Sequence, residues 1–292
     1  MRPPCWRALS LEQVVSETPD EQTPGSGSSP GQREPARRRR FARIPLRYVL
    51  PNLVTLLGLC LGLTAIRFAY EGRYEMAVYA IVAAAVLDGL DGRIARALKS
   101  TSRFGAELDS LADFIDFGVA PAVLLYFWTL HDIKSYGWFA VLVYVVACAL
   151  RLARFNVALD DPDKPQWKND FFTGMPSPAG AIAVMLPIYL HYSVLKLPLG
   201  HTFVPLEIVY VLLIALLMIS PVPHYSGKKL GRVPRDKFIV VLFAVLVGLL
   251  LLVTSTMEML AFLSIAYLAL IPWSWRRYKR LERESQLVSG RD

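Results

Sequence analysis

Cysteine is scarce in this chain: there are three in 292 residues, and Cys60 and Cys148 fall inside apolar runs. Three thiols cannot all pair, so a disulfide framework of the secreted kind is excluded. Charge is scarce as well, at 19% of residues against 54% hydrophobic ones, with a mean hydropathy of +0.39. That balance excludes a soluble globule and a collagen-like fibre. No apolar core follows Met1 closely and acids are scattered through the first residues, so the beginning does not read as a secretory signal. An inverted internal repeat of the kind many transporters carry is not recognisable either. What the chain does have is long apolar runs alternating with short Lys and Arg clusters, and a net charge of +8. In so apolar a chain the positive balance points to an anionic membrane surface and not to nucleic acid. The composition predicts an all-α, polytopic transmembrane helical bundle.

Residues 1–43 differ from the rest. They are rich in Pro, Gly, Ser, Glu and Arg, as in Thr23-Pro24-Gly25-Ser26-Gly27-Ser28-Ser29-Pro30-Gly31, and are expected to be a disordered basic region. Arg37-Arg38-Arg39-Arg40, with Arg43 and Arg47, precedes the first apolar run and reads as a cytosolic anchor. The membrane-embedded part is expected over 44–275, followed by a basic cytosolic tail over 276–292. Eight apolar segments follow in the sequence: 49–69, 74–90, 116–130, 138–150, 179–197, 203–220, 238–253 and 257–273. Thr254-Ser255-Thr256 is the weakest boundary among them, so seven or nine segments fit as well. Under the eight-span reading, 28 of the 32 Lys and Arg fall on one side, leaving Arg67, Arg73, Lys134 and Lys196 on the other. The positive-inside rule then places both termini in the cytosol of a multi-pass membrane protein, and the inner (cytoplasmic) membrane is its expected location.

Acids inside membrane spans are costly and call for an explanation. Here they converge. Asp88 and Asp91 are spaced i, i+3 on a helix, with Gly92 and Ala95 on the same face, while Gly105, Asp109 and Asp113 are spaced i, i+4, i+8. Counting about 21 Å down the second span from Tyr74 and about 22 Å back from Trp128 brings Asp88 and Asp113 to one depth, towards the cytosolic face. Four clustered carboxylates cannot all stay ionised without counter-charge. Arg93, Arg96 and Arg103 could supply it as an ion-pair network, or hard divalent cations could, since carboxylate oxygens suit Mg²⁺ or Mn²⁺. The absence of His and Cys from the cluster argues against zinc. The small residues Gly92, Ala95 and Gly105 would let a bulky ligand approach the backbone.

The full spacing, D-x-x-D-G-x-x-A-R-x8-G-x3-D-x3-D from Asp88 to Asp113, resembles the motif of the CDP-alcohol phosphatidyltransferase family at every fixed position. Three further segments are similar to the integral-membrane phosphatidylserine synthases (CDP-diacylglycerol–serine O-phosphatidyltransferases) of bacteria and archaea. They are Pro51-Asn52-Leu53-Val54-Thr55, Arg151-Leu152-Ala153-Arg154-Phe155-Asn156 and Phe172-Thr173-Gly174-Met175-Pro176-Ser177-Pro178-Ala179. The likeness runs from about residue 45 to 183. One departure is Asp116, on the face of Asp109 and Asp113, where the resembling sequences usually carry a less acidic residue. It is expected to be a bystander near the cavity.

The resemblance implies an enzyme with a catalytic cavity open to the cytosolic side. It would transfer the phosphatidyl group from CDP-diacylglycerol to L-serine, giving phosphatidylserine and CMP. Asp88, Asp91, Asp109 and Asp113 would hold Mg²⁺ or Mn²⁺, and Asp113 would also act as general base. Asn52, Thr55, Gly92, Ala95, Arg96 and Gly105 would contact CDP-diacylglycerol. Arg151, Arg154, Asn156 and Ser177 are candidates for the acceptor, whose carboxylate needs a cation. The implied partners are membrane lipids and, as is usual in the family, a second copy in a homodimer. Glycerol 3-phosphate, inositol or choline would be alternative acceptors for the same chemistry. A cation-coupled transporter is the reading from another class, disfavoured because the acids crowd one side of the membrane.

Overall fold

The computed structural model describes residues 46–159, 171–194, 196, 203–220, 223–225 and 238–289. The expectations for 1–43 lie outside them. The described chain is almost entirely helical. In order come α1 (Leu46–Tyr70), α2 (Tyr74–Ala97), α3 (Arg103–Asp113), a π-helical turn (Phe114–Val119), α4 (Ala120–Trp128), a short 3-10 turn (Leu130–Ile133) and α5 (Lys134–Leu159). After these come strand β1 (Phe171–Thr173), α6 (Ser177–Val184), α7 (Leu186–Tyr192), α8 (Val204–Ile219), strand β2 (Pro223–Tyr225), α9 (Phe238–Thr254) and α10 (Thr256–Ser289).

Among the described residues, four helical stretches are long and apolar enough to cross a membrane: Val49–Tyr70, Arg103–Trp128, Leu130–Ala158 and Thr256–Arg276. Their outer faces keep large apolar side chains exposed, Leu57 and Leu63 on α1 and Phe139 and Val146 on α5 among them. A lipid environment tolerates such a surface, whereas water would drive it to aggregate. Inward, the core gathers Ala65, Ala77, Ile81, Leu124, Tyr144, Met185 and Ile214. Ala77, Ala80 and Ala84 are buried on α2. Small residues on that face let α1 approach closely, and the α1–α2 pair forms the most extensive helix contact in the chain.

Two details separate the structure from a plain reading of apolar runs. The segment expected as one span over 179–197 is broken: α6 ends at Val184, Met185 leaves helical geometry, and α7 resumes with Pro187 in its first turn. Proline there lacks the N–H that would continue the preceding helix. The third span starts at Arg103, in keeping with the polar cytosolic continuation expected of the second and third segments, but it contains a π-helical turn over Phe114–Val119 that the spacing does not announce. Pro121 has no N–H to give the Phe117 carbonyl four residues earlier; instead Tyr144 Oη on α5 donates to that carbonyl at 3.0 Å. The hydroxyl thus stitches α5 to the turn that carries Asp116.

The Pro- and Gly-broken segment before α6 is shielded by its neighbours. β1 pairs antiparallel with β2, Phe172 opposite His224. Gly174 then turns at φ +81°, and a Cβ there would sit 2.6 Å from the Met218 carbonyl oxygen at the end of α8. Met175 N donates to the Leu217 carbonyl at 3.2 Å, and Met175 and Ser177 are fully buried. On the far side of the bundle, Thr129 donates to Glu207 of α8, so the acid that lies in an apolar helix there is tied to a hydroxyl.

Candidate active site

The site grows from three helices. α2 carries Asp88 and Asp91 one turn apart, and α3 carries Asp109 and Asp113 one turn apart, as the helical period requires. α3 starts on a local signal: Ser102, in extended geometry, accepts a hydrogen bond from Gly105 N at 3.0 Å, the arrangement of an N-cap. α1 supplies the third wall through Asn52, Thr55 and Gly58.

Ligand oxygens of Asp88, Asp91 and Asp109 lie within 4.8 Å of one another. Asp113 stands outside that trio but lines the same small cavity, with Thr55, Gly58, Ala112 and Asp116. Thr55 Oγ1 donates to Asp91 Oδ2 at 2.5 Å and also to the Pro51 carbonyl at 3.1 Å, which fixes the buried Asp91 carboxylate against α1. The acids make no ion pair with Arg93, Arg96 or Arg103 among the salt bridges of the described residues. A structural ion-pair network therefore does not account for them.

Beside the acids opens a wider cleft with a volume of about 170 Å³. Its walls include Asn52, Thr55, Gly92, Ala95, Arg96 and Gly105, all six candidates for CDP-diacylglycerol, and it shares Thr55, Asp91 and Asp109 with the acidic cavity. Gly105 is a close approach: a Cβ there would meet Asn52 Oδ1 at 2.9 Å and Ser102 Oγ at 3.1 Å. Gly92 differs, since a Cβ would find only the tip of Arg96, at 3.7 Å. Its lack of a side chain keeps the cleft wide. Thr101 and Ser102 also line the cleft and were not singled out from sequence. The Ser102-to-Gly105 spacing, a capping residue three before the motif glycine, is the signal that would have found Ser102.

The acceptor candidates separate. Arg151 Nη1 donates to Ser177 Oγ at 3.0 Å, and Cys148 Sγ approaches the same oxygen at 3.7 Å. The Arg151 guanidinium is in electrostatic range of Asp113 and lies over the Phe155 ring, 5.2 Å from its centroid. Arg154 is directed elsewhere, donating to the Ile219 carbonyl at 2.7 Å at the end of α8. Asn156 Nδ2 donates to Ser110 Oγ of α3 at 3.0 Å. The structure thus joins Arg151 and Ser177 beside the fourth acid, and uses Arg154 and Asn156 to hold α5 against its neighbours.

The donor set facing the cavity consists of carboxylate oxygens, with one Asp116 oxygen buried and without a hydrogen-bond partner. Oxygen-only donors fit a hard divalent cation such as Mg²⁺ or Mn²⁺.

Comparison with known proteins bears on this arrangement. Residues 48–220 match the family model of CDP-alcohol phosphatidyltransferase. The CDP-diacylglycerol–serine O-phosphatidyltransferase of Mycobacterium leprae is 53% identical over 148 residues, 51% of this chain and 49% of that protein. The protein of the same name from Helicobacter pylori (strain 26695) is 38% identical over 184 residues, 62% of this chain and 74% of the relative. That of Methanocaldococcus jannaschii is 31% identical over 193 residues, covering 61% and 86%. The chain spans about half the length of the mycobacterial relatives it matches.

Proposed function

This chain belongs to the CDP-alcohol phosphatidyltransferase family, and from that premise we propose that it transfers the phosphatidyl group of CDP-diacylglycerol to L-serine. The observation that carries the reading is the union of the acidic cavity with the open cleft through Thr55, Asp91 and Asp109, with the Arg151–Ser177 pair in electrostatic range of Asp113.

In this reading Asn52, Gly92, Ala95, Arg96 and Gly105 receive the cytidine diphosphate end of the lipid while its acyl chains remain in the bilayer. Asp88, Asp91 and Asp109, with Asp113, hold Mg²⁺ or Mn²⁺. A cation held by these carboxylates would supply positive charge to offset the pyrophosphate and the charge developing on the departing CMP. Arg151 attracts the serine carboxylate and Ser177 accepts from Arg151, keeping the guanidinium aimed. Asp113 takes the proton of the serine hydroxyl as the new oxygen–phosphorus bond forms and the bond to CMP breaks. Phosphatidylserine, a precursor for phosphatidylethanolamine, stays in the membrane and CMP leaves to water.

The same reading places the protein in the cytoplasmic membrane with eight spans, both termini and the cleft on the cytosolic side, and a second copy as its partner. The support is the distribution of Lys and Arg, which crowds one side under that topology, and the need for cytosolic serine to reach Asp113. α2 and the broken α6–α7 pair serve as spans although neither meets a simple length-and-apolarity criterion, because α2 carries the acids and α6–α7 the Met185 break.

The decisive experiment is CMP release from CDP-diacylglycerol by the purified chain with Mn²⁺ or Mg²⁺, comparing serine with glycerol 3-phosphate, inositol and choline. Serine-dependent release with phosphatidylserine as product is expected. Release with another alcohol alone would keep the transferase and replace the acceptor. No turnover with any acceptor, alongside cation uptake into liposomes lacking the lipid substrate, would favour transport instead.

A further inference from the structure

Asp116 is 2% exposed, and its Oδ1 is buried without a hydrogen-bond partner. It follows Asp109 and Asp113 on the same helical stretch, inside the π-helical turn, and lines the cavity that the four motif acids line. Its place is prepared on α1. Gly58 and Gly62 form a G-x-x-x-G pattern, usually a surface for close helix packing. Here the pattern receives a carboxylate. Asp116 Oδ1 occupies the space that a Gly62 side chain would take, and a Cβ on Gly58 would lie 3.5 Å from Asp116 Oδ2. A carboxylate set this deep is costly while ionised unless something positive offsets it, and its Oδ2, beside the cavity-lining Gly58, is the oxygen on the cavity side. Among the described residues no Lys or Arg is paired with it. What it does adjoin is the cavity where Asp88, Asp91 and Asp109 converge.

We propose that Asp116 is a fifth acidic wall of the divalent-cation site, held against it by the Gly58–Gly62 niche, and that it strengthens cation binding. The proposal rests on the cation-dependent reading given above, and it replaces the expectation that Asp116 is a bystander. It assigns two roles that the motif does not contain. Asp116 supplies negative charge on the α1 side of the site, and Gly62 leaves room for it.

The test is Mn²⁺ binding to the purified full-length protein, followed by electron paramagnetic resonance of free Mn²⁺, together with the melting temperature with and without Mn²⁺. Asp116→Asn is expected to weaken Mn²⁺ affinity by about tenfold or more, the range seen when a group supporting a metal site is removed. Without Mn²⁺ it should melt no lower than the wild type, since a buried uncompensated charge has gone, while the Mn²⁺-induced rise in melting temperature shrinks. Gly62→Ala keeps Asp116 but pushes it from its niche, and should weaken Mn²⁺ binding in the same direction. Asp109→Asn serves as the reference. If Asp109→Asn loses Mn²⁺ while Asp116→Asn binds with wild-type affinity, the proposal falls and the cation reading stands. If neither change alters Mn²⁺ binding, or the wild type binds none, both fall. An Asp116→Asn protein that melts lower without Mn²⁺ and shows an undiminished Mn²⁺-induced rise would mark a merely structural residue, and would also overturn the proposal.

Discussion

Thr55 Oγ1 donates to Asp91 Oδ2 at 2.5 Å across the α1–α2 interface, tying the Pro51–Thr55 segment to the first motif helix. Asp91 is buried, and this bond anchors a carboxylate that converges with Asp88 and Asp109. Thr55→Val preserves shape and removes the donor. It should lower Mn²⁺-dependent CMP release about 10- to 100-fold, as loss of an orienting partner does at metal sites. Thr55→Ser should restore most of the activity. Activity assayed across a Mn²⁺ titration checks this, and a Thr55→Val enzyme with the wild-type Mn²⁺ dependence would show that the bond is dispensable.

Gly105 is the tight point of the open cleft. A methyl there meets Asn52 Oδ1 at 2.9 Å and Ser102 Oγ at 3.1 Å, so Gly105→Ala must displace Asn52 or loosen the α3 cap. Overpacking of this kind costs about 1–3 kcal/mol. If the cleft takes the lipid nucleotide, most of that cost appears as a 5- to 100-fold rise in the apparent KM for CDP-diacylglycerol, by about 1.4 kcal/mol per tenfold. Ser102→Ala is the companion: loss of the cap should cost about 1 kcal/mol of stability, read as a lower melting temperature with a smaller effect on KM. Equal KM values for Gly105→Ala and wild type would move the nucleotide elsewhere.

The motif face was legible in the sequence because helical spacing is a local property. Asp88 with Asp91, and Gly105 with Asp109 and Asp113, needed only the 3.6-residue period to be placed together. What was not legible depends on partners distant in the chain. The Pro121-linked π turn is completed by Tyr144 from α5, and the niche for Asp116 belongs to α1. An apolar run from 179 to 197 does not announce that Met185 interrupts it, since every residue there remains hydrophobic enough to belong to a span. Arg151 and Arg154 share one helix face by spacing, yet α6 and the end of α8 claim them separately.

That separation makes the two arginines distinguishable. Arg151 is bonded to Ser177 near Asp113, whereas Arg154 is bonded to the Ile219 carbonyl. A charge-assisted hydrogen bond contributes about 1.5–3 kcal/mol. Arg151→Ala should therefore raise the apparent KM for serine by at least about tenfold, leaving the KM for CDP-diacylglycerol nearly unchanged. Arg154→Ala should lower stability and leave the KM for serine alone. Serine titrations at saturating CDP-diacylglycerol decide the matter, and an unaltered serine KM in Arg151→Ala would reject the carboxylate contact.

Asp113 is the acid that stands between the two halves of the site. It lines the cavity of Asp88, Asp91 and Asp109 but lies outside the trio whose oxygens come within 4.8 Å of one another. It is also in electrostatic range of Arg151, which is bonded to Ser177. A group that completes the cation site from its edge, near the cation offered to the acceptor, is suited to take the proton of the acceptor hydroxyl as general base. Asp113→Asn keeps size and polarity but cannot take a proton. It should bind CDP-diacylglycerol with near wild-type affinity and lower CMP release by about 10²- to 10⁴-fold, the usual contribution of a positioned base. Binding of the lipid nucleotide by the inactive variant, measured beside single-turnover CMP release, separates this from a ligand role. If Asp113→Asn also lost Mn²⁺ binding to the extent that Asp109→Asn does, Asp113 would count chiefly as a cation ligand. Full activity in the variant would remove it from both roles.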